Sequence, residues 1–389
     1  MNEYLNATPT VLVFPATHAD GLSYLETARL HGISVIAATS EIDAVYRATV
    51  TPLVLLPFIY DNLFSDRLLE LIALHKITRI FSPVAAVYIW LENFISEENL
   101  PIQLIDISPT HKETRKFNKF LSEAEFFKPF IDQCADQKSS LSLLEITAIY
   151  RMSNNIYGES SDTKIAAMMA IFSSAPKGDV VEIGALLGKS ASVLSFLARR
   201  FQTGSVLVID PWLWATGKQH DSPETVSIHM ANSWDYEKLS LNFITNILPI
   251  GLGICNYIKS ESSDAYNSYK TKQIITSTEL GTTNYLGKIS VIHIDGNHDY
   301  IKVKLDCDLW IPLIHPGGWL ILDDYLWIHG NGPRRAGDEL LDDRSQDIER
   351  AFVCGKALFV KFSRSMSQLA ISAHNMEPQR QVEPNGSQR

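Results

Sequence analysis

Val180-Val-Glu182-Ile-Gly184-Ala-Leu-Leu-Gly188-Lys189-Ser190 is the stretch on which the fold turns. It opens with a short β-branched apolar run, passes through a turn bounded by two glycines, and ends where a helix-spaced segment, Ser190–Arg200, begins. A glycine turn between the C-terminal end of a strand and the N-terminus of a helix lets a ligand approach the backbone closely. The next strand-like run, Ser205–Ile209, ends in Asp210. A carboxylate at the tip of that second strand is placed to hold ribose hydroxyls, and Glu182, at the tip of the first, is expected to face the same crevice.

Further along, Ile289-Ser-Val-Ile-His-Ile-Asp295-Gly-Asn-His298-Asp299-Tyr300 reads as a buried strand that ends in Asp295 and is followed by His298. A helix-like stretch, Ile301–Leu309, leads to a tight turn over Ile314–Gly318 and to another strand, Trp319–Leu322, ending in Asp323-Asp324. In a parallel sheet these ends share one edge with Glu182 and Asp210. Converging carboxylates there need a cation or costly protonation. Oxygen ligands favour Mg²⁺, Mn²⁺ or Ca²⁺. A neutral His298 beside such an ion suits proton removal from a hydroxyl. The plainer alternative is that Asp323-Asp324 cap the next segment and His298 lies on the surface.

Two acidic strand tips around a glycine turn suit a ligand with a ribose and a cationic part, as in S-adenosylmethionine (SAM). NAD fits less well, because its pyrophosphate would meet Glu182 and the spacing is not GxGxxG. A rival is the phosphate-binding loop GxxxxGKS. Gly184–Ser190 is GALLGKS, one residue short, with Ile183 where the first glycine belongs. A tight turn with no ligand is the remaining alternative.

Upstream, strand-like and helix-like segments alternate: Thr10–Phe14, Asp20–His31 stopping at Gly32, Ser34–Ala37, Leu53–Leu56, Phe64–His75, Arg79–Ser82, Val84–Ile95 and Ile102–Ile105. This predicts a first α/β domain over residues 1–108 with a mostly parallel sheet. Residues 109–177 are charged and helix-prone and read as a helical bridge ending in Asp162–Ser174. The second α/β unit covers 178–365, and the polar stretch 366–389 reads as a partly disordered tail.

The chain has 389 residues, with 46% hydrophobic and 20% charged, the profile of a globular protein. A net charge of −10 argues against nucleic-acid binding. No apolar run approaches membrane-spanning length, and MNEYLNATPT lacks the pattern of a secretion signal. No membrane partner is therefore expected, and four cysteines without a CxxC pair favour reduced thiols, hence a cytoplasmic location.

The run from Val180 to about Phe362 resembles class I SAM-dependent methyltransferases, above all the metal-dependent sugar O-methyltransferases that act on macrolide antibiotics. VIHIDGNHDY and DLWIPLIHPGGWLILDDY carry the resemblance. It implies a doubly wound, mostly parallel Rossmann-like sheet. It implies Mg²⁺ (or Mn²⁺) on Asp295, Asp323 and Asp324, with His298 as general base. Glu182, Gly184, Gly188 and Ser190 would form the SAM loop, Asp210 would hold the ribose, and Ser260 and Glu261 would meet the adenine. His329–Leu340, with Arg334 and Arg335, resembles the loop that closes over substrate; either arginine is as readily solvated charge. Trp212 and Trp214 fit either a ligand site or the core.

The implied activity is methyl transfer to a hydroxyl of a sugar-like or polyhydroxylated small molecule, such as a glycoside in natural-product or glycan biosynthesis, by a homo-oligomer. The alternatives are an ATP-using ligase or NTPase and a non-catalytic SAM-binding protein. TVLVFPATHADGLSYLETARLHGISVIAAT resembles the α/β domain that precedes ATP-grasp cores, although no such core follows. That implies a substrate-binding, docking or dimerisation module, or a structural domain without ligand.

Overall fold

The computed structural model describes residues 9–41, 52–135, 141–226 and 234–363. The tail expected over 366–389 lies outside them. The chain forms two compact units, residues 1–119 and 120–389.

The first unit is a five-stranded sheet in the order β3-β2-β1-β4-β5. Its strands are β1 (Thr10–Val13), β2 (Val35–Thr39), β3 (Leu53–Leu55), β4 (Ile77–Phe81) and β5 (Gln103–Leu104), all parallel. Helices Ala19–Leu30, Phe64–His75 and Ala85–Glu97 connect them. Gly32, just past the first helix, adopts φ +63°, a backbone conformation open to glycine without strain. Leu12, Phe14, Phe64, Leu68, Ile80 and Leu91 fill one side of this sheet.

The second unit is a seven-stranded sheet in the order β13-β14-β12-β11-β6-β7-β8. β6 (Asp179–Ile183), β7 (Val206–Ile209), β8 (Cys255–Ile258), β11 (Ile289–Ile294) and β12 (Ile314–Leu322) run parallel; β14 (Ala357–Phe362) is antiparallel to β12 and to β13 (Ile348–Cys354). The hairpin β9 (Ile274–Ser277) and β10 (Gly281–Asn284) forms a separate ribbon. β6 and β11 are buried at every residue, as strands covered on both faces must be. Ile314–Gly318, expected as a turn, belongs to β12. There the pairing with β11 jumps from Ile289↔Ile314 to Val291↔Trp319, and Gly318 sits where a Cβ would meet backbone oxygens of His315 and Ser290 at 2.8 and 2.9 Å.

The expected bridge does not stand apart. The division between units falls inside the helix Pro109–Cys134. From Phe120 onward its apolar face joins the second unit's core, as do the helices Leu143–Asn154 and Asp162–Ile171. The last of these is buried at every position from Lys164 to Ile171, because it packs with apolar residues on all sides rather than on one stripe. Among the described residues no helix is long and apolar enough to cross a membrane.

Candidate active site

The C-terminal ends of β6, β7, β11 and β12 open onto a cavity of about 880 Å³, lined by the glycine turn, Asp210, Ser260, Glu261, Asp295, His298, Asp323 and Asp324, among others. A crevice at this edge of an open parallel sheet is the expected ligand position.

The glycine turn is held tightly. Gly184 has φ +82°, and a Cβ there would lie 2.0 Å from the backbone oxygen of Asp295, so only glycine fits. Gly188, at φ +88°, caps the helix Lys189–Phe201, and Ser190 is buried in its first turn against the cavity. Asp210 accepts hydrogen bonds from the backbone N–H groups of Ala185 (2.8 Å), Leu186 (3.1 Å) and Trp212 (2.7 Å). Burial nevertheless pushes its carboxyl up, with those N–H donors acting in the opposite direction. This arrangement counts against the phosphate-loop alternative. The amides of Ala185 and Leu186 already serve a carboxylate, and Lys189 Nζ donates to the Gly158 carbonyl at 3.2 Å.

Glu182 does not face the crevice as expected. It is fully buried, and its Oε1 accepts from His293 Nδ1 at 2.9 Å. The reason is register. Glu182 and His293 are direct partners across β6 and β11, so their side chains share a face. Trp212 both lines the cavity and packs in the core: its ring lies on Phe243 and its Nε1 donates to the Leu186 carbonyl at 2.8 Å, bracing the glycine turn. Trp214 is not among the cavity's lining residues. Ser260 and Glu261 are, and Glu261 pairs with Lys302 at 2.8 Å. In the expected substrate loop His329 lines the cavity, but Arg334 and Arg335 do not. Arg335 stacks on Tyr300 at 3.7 Å and pairs with Glu339 at 3.0 Å.

The acidic strand ends do not form the single Asp295–Asp323–Asp324 triad that was expected. They divide into two groups that share Asp295, each with donor atoms within 4.8 Å of one another: His293–Asp295–Asp323 and Asp295–His298–Asp324. The cause is the backbone. Asp324 turns with φ +52°, which sends the neighbouring carboxylates to different sides. Asp324 lies 3.0 Å from His298 Nε2, whereas His298 Nδ1 is buried without a partner. Asp323 turns inward and is hydrogen-bonded by Lys164, whose ammonium also lies 3.6 Å from Asp295. His293 Nε2, 3.8 Å from Asp295 and 3.7 Å from Asp323, has no hydrogen-bond partner.

These contacts set the charges. Burial would drive Lys164 to lose its proton, but Asp323 and Asp295 beside it hold its pKa above the usual lysine value. Burial likewise works against a charged His293, and Asp323 and Glu182 overcome it, raising the ring to about 9. Burial would raise Asp323 too, but Lys164 and His293 pull it well below the ordinary carboxylate range. Asp295 goes the other way, pushed well up by burial and by Asp323. It is the carboxylate left short of positive charge. Lys164 and His293 were not found from the sequence. Lys164 stands 159 positions from Asp323, in a segment read as a bridge, and His293 looked like one more residue of a buried strand.

A family model described as a methyltransferase domain matches residues 181–325. Among solved structures, the O-methyltransferase NovP is similar at 16% identity, covering 57% of this chain and 82% of NovP, with a TM-score of 0.36. The calicheamicin methyltransferase CalS11 is similar at 11% identity, covering 66% of this chain and 94% of CalS11, with a TM-score of 0.37. MycE from the mycinamycin pathway, solved with Mg, SAH and mycinamycin VI, is similar at 13% identity, covering 48% of this chain and 45% of MycE, with a TM-score of 0.29. No curated protein matches the chain. The family match spans β6 through β12 and takes in the glycine turn, Asp210 and both acidic groups. The second unit thus carries a methyltransferase domain over residues 181–325, built on a mostly parallel sheet.

Proposed function

We propose that the chain methylates one hydroxyl of a vicinal diol on a sugar-like small molecule, with a divalent cation held by Asp295 and Asp324. The observation that carries this reading is the Asp295–His298–Asp324 group on the wall of the same cavity as the glycine turn and Asp210. The donor set fits a hard cation: two carboxylates, one of them short of positive charge, with an imidazole beside them. When bound, such an ion lowers the pKa of a neighbouring hydroxyl and fixes two adjacent oxygens.

The chain's own residues do the rest. The glycine turn lets SAM lie against the backbone, and Asp210 offers its one remaining lone pair, on Oδ1, to a ribose hydroxyl. The carboxylates at this edge favour the cationic sulfonium over an anionic nucleotide. His298 Nε2 takes the proton of the reacting hydroxyl; Nδ1 is buried and out of reach. The oxygen forms its bond to the methyl carbon as the carbon–sulfur bond breaks, leaving S-adenosylhomocysteine (SAH) and a methyl ether. Holding both reactants in one cavity makes the displacement effectively unimolecular.

The test is calorimetric titration of SAH with and without Mg²⁺, followed by mass spectrometry of diol acceptors incubated with SAM. Micromolar SAH binding and a methyl gain that disappears in EDTA are expected. Full turnover in EDTA overturns the cation's role. Methylation confined to acceptors without adjacent hydroxyls overturns the diol.

A further inference from the structure

Lys164 is the most unusual group in the second unit. It is an ammonium with 1% of its surface exposed, inside the cluster of carboxylates at the sheet edge. Its placement is built by backbone packing. Ser161 caps the helix Asp162–Ile171 by accepting from the Lys164 N–H at 3.2 Å. The turn between β13 and β14 presses on the same point: a Cβ on Gly355 would lie 2.7 Å from Lys164 N and 2.8 Å from its Cβ. The side chain therefore has a fixed root, and its ammonium meets Asp323 and Asp295 from the inner side.

That inner side otherwise has what a divalent cation needs. His293 Nε2 is fully buried and without a partner, and it faces Asp295 and Asp323 within a group whose donor atoms lie within 4.8 Å. An ammonium and a divalent ion cannot share this space, because like charges at such separations repel strongly in a buried setting.

We infer that Lys164 is a positioning residue that reserves the inner side of the acidic cluster, so that the chain takes one divalent cation, on the Asp295–His298–Asp324 side alone. The role of the outer group rests on the function proposed above; the blocking of the inner group does not. Lys164 thereby directs Asp323 away from the cation and leaves Asp295 as the shared carboxylate. Replacing it with a neutral side chain opens a second divalent site on His293, Asp295 and Asp323, where the cation displaces the proton of His293 Nε2 to solvent.

The experiment counts Mn²⁺ bound to the full chain by calorimetry and by paramagnetic resonance of free Mn²⁺, with circular dichroism confirming the fold. The wild type is expected to take one ion, Lys164→Met two, and Lys164→Arg one. A folded Lys164→Met that takes one ion with unchanged affinity overturns the inference and leaves the proposed function standing. A wild type that takes none while Lys164→Met takes one supports the blocking of the inner group, overturns the outer cation and removes the cation from the proposed function. None in either overturns both. Lys164→Met removes a buried counter-charge and can fail to fold, so Lys164→Gln, which keeps a hydrogen-bond donor for Asp323 without the charge, provides a second arm. It is expected to take two ions, and a folded Lys164→Gln that takes one with unchanged affinity overturns the inference.

Discussion

In the first unit the ends of β1 and β2 are joined by uncharged hydroxyls. Thr17 and Thr39 share a hydrogen bond of 3.0 Å, and Thr39 also accepts from the Glu41 N–H at 3.2 Å. In the second unit the corresponding ends carry Glu182, Asp210, Asp295 and Asp323, all sunk into the protein or the cavity wall. Both sheets are parallel at their centres, so winding alone does not set the two units apart. The difference lies in what is placed at the same edge. Hydroxyl pairs stabilise their surroundings. Buried carboxylates cost stability and are retained where they hold charge for chemistry.

Four substitutions test that contrast. Asp295→Ala has the largest expected effect: it strips the carboxylate common to both acidic groups, and methyl transfer falls below detection while SAH binding persists in calorimetry. Turnover that survives with Mg²⁺ still required would place the cation elsewhere. His298→Ala slows the chemical step by about 10²–10⁴-fold in single-turnover kinetics, and an unchanged rate removes it as the base.

Asp306 gives the third. It lies beside the cavity, where burial pushes its carboxyl up to about 6, with the Ser262 hydroxyl and Lys302 acting in the opposite direction. The native carboxyl keeps its proton to higher pH than the unfolded one, near 3.9, so stability falls as pH rises from about 4 to about 6 and stays reduced above. Asp306→Asn therefore stabilises the ligand-free protein at pH 7 by about 3 kcal/mol and changes little below pH 4. Equal unfolding midpoints at both pH values would contradict this. The smallest effect falls in the first unit. Thr39→Val removes two hydrogen bonds and costs about 1 kcal/mol, read by hydrogen exchange at Val11–Val13, with SAH affinity unaltered. A gain in stability would remove the contrast between the two edges.

The alternation of strands and helices was legible because buried parallel strands are short apolar runs, and Thr10–Val13, Val180–Ile183 and Ile289–Ile294 announce themselves as such. The same property hid part of the site. A strand covered on both faces gives no alternation to show which way a residue points, so Glu182 reads as facing the crevice and nothing in the sequence singles out His293. Only the register of β6 against β11 makes them partners. The antiparallel β13–β14 hairpin, the β9–β10 ribbon and the helix Tyr236–Gly251 carried no motif and were not read. Lys164 was out of reach for a different reason. Nothing local marks a lysine in an alanine- and methionine-rich helix as a counter-charge, because its partners arrive from the far end of the sheet.

The contact between Gly184 and the backbone of Asp295 gives the glycine turn and the Asp295–His298–Asp324 group a common wall, where the proposed SAM and cation would meet. The two ligands then form a thermodynamic cycle. Whatever factor a cation on Asp295 contributes to the affinity for SAM, SAM returns to the affinity for the cation. A side chain at position 184 would wedge that wall apart and change both affinities at once, which makes this one glycine the natural place to measure their linkage.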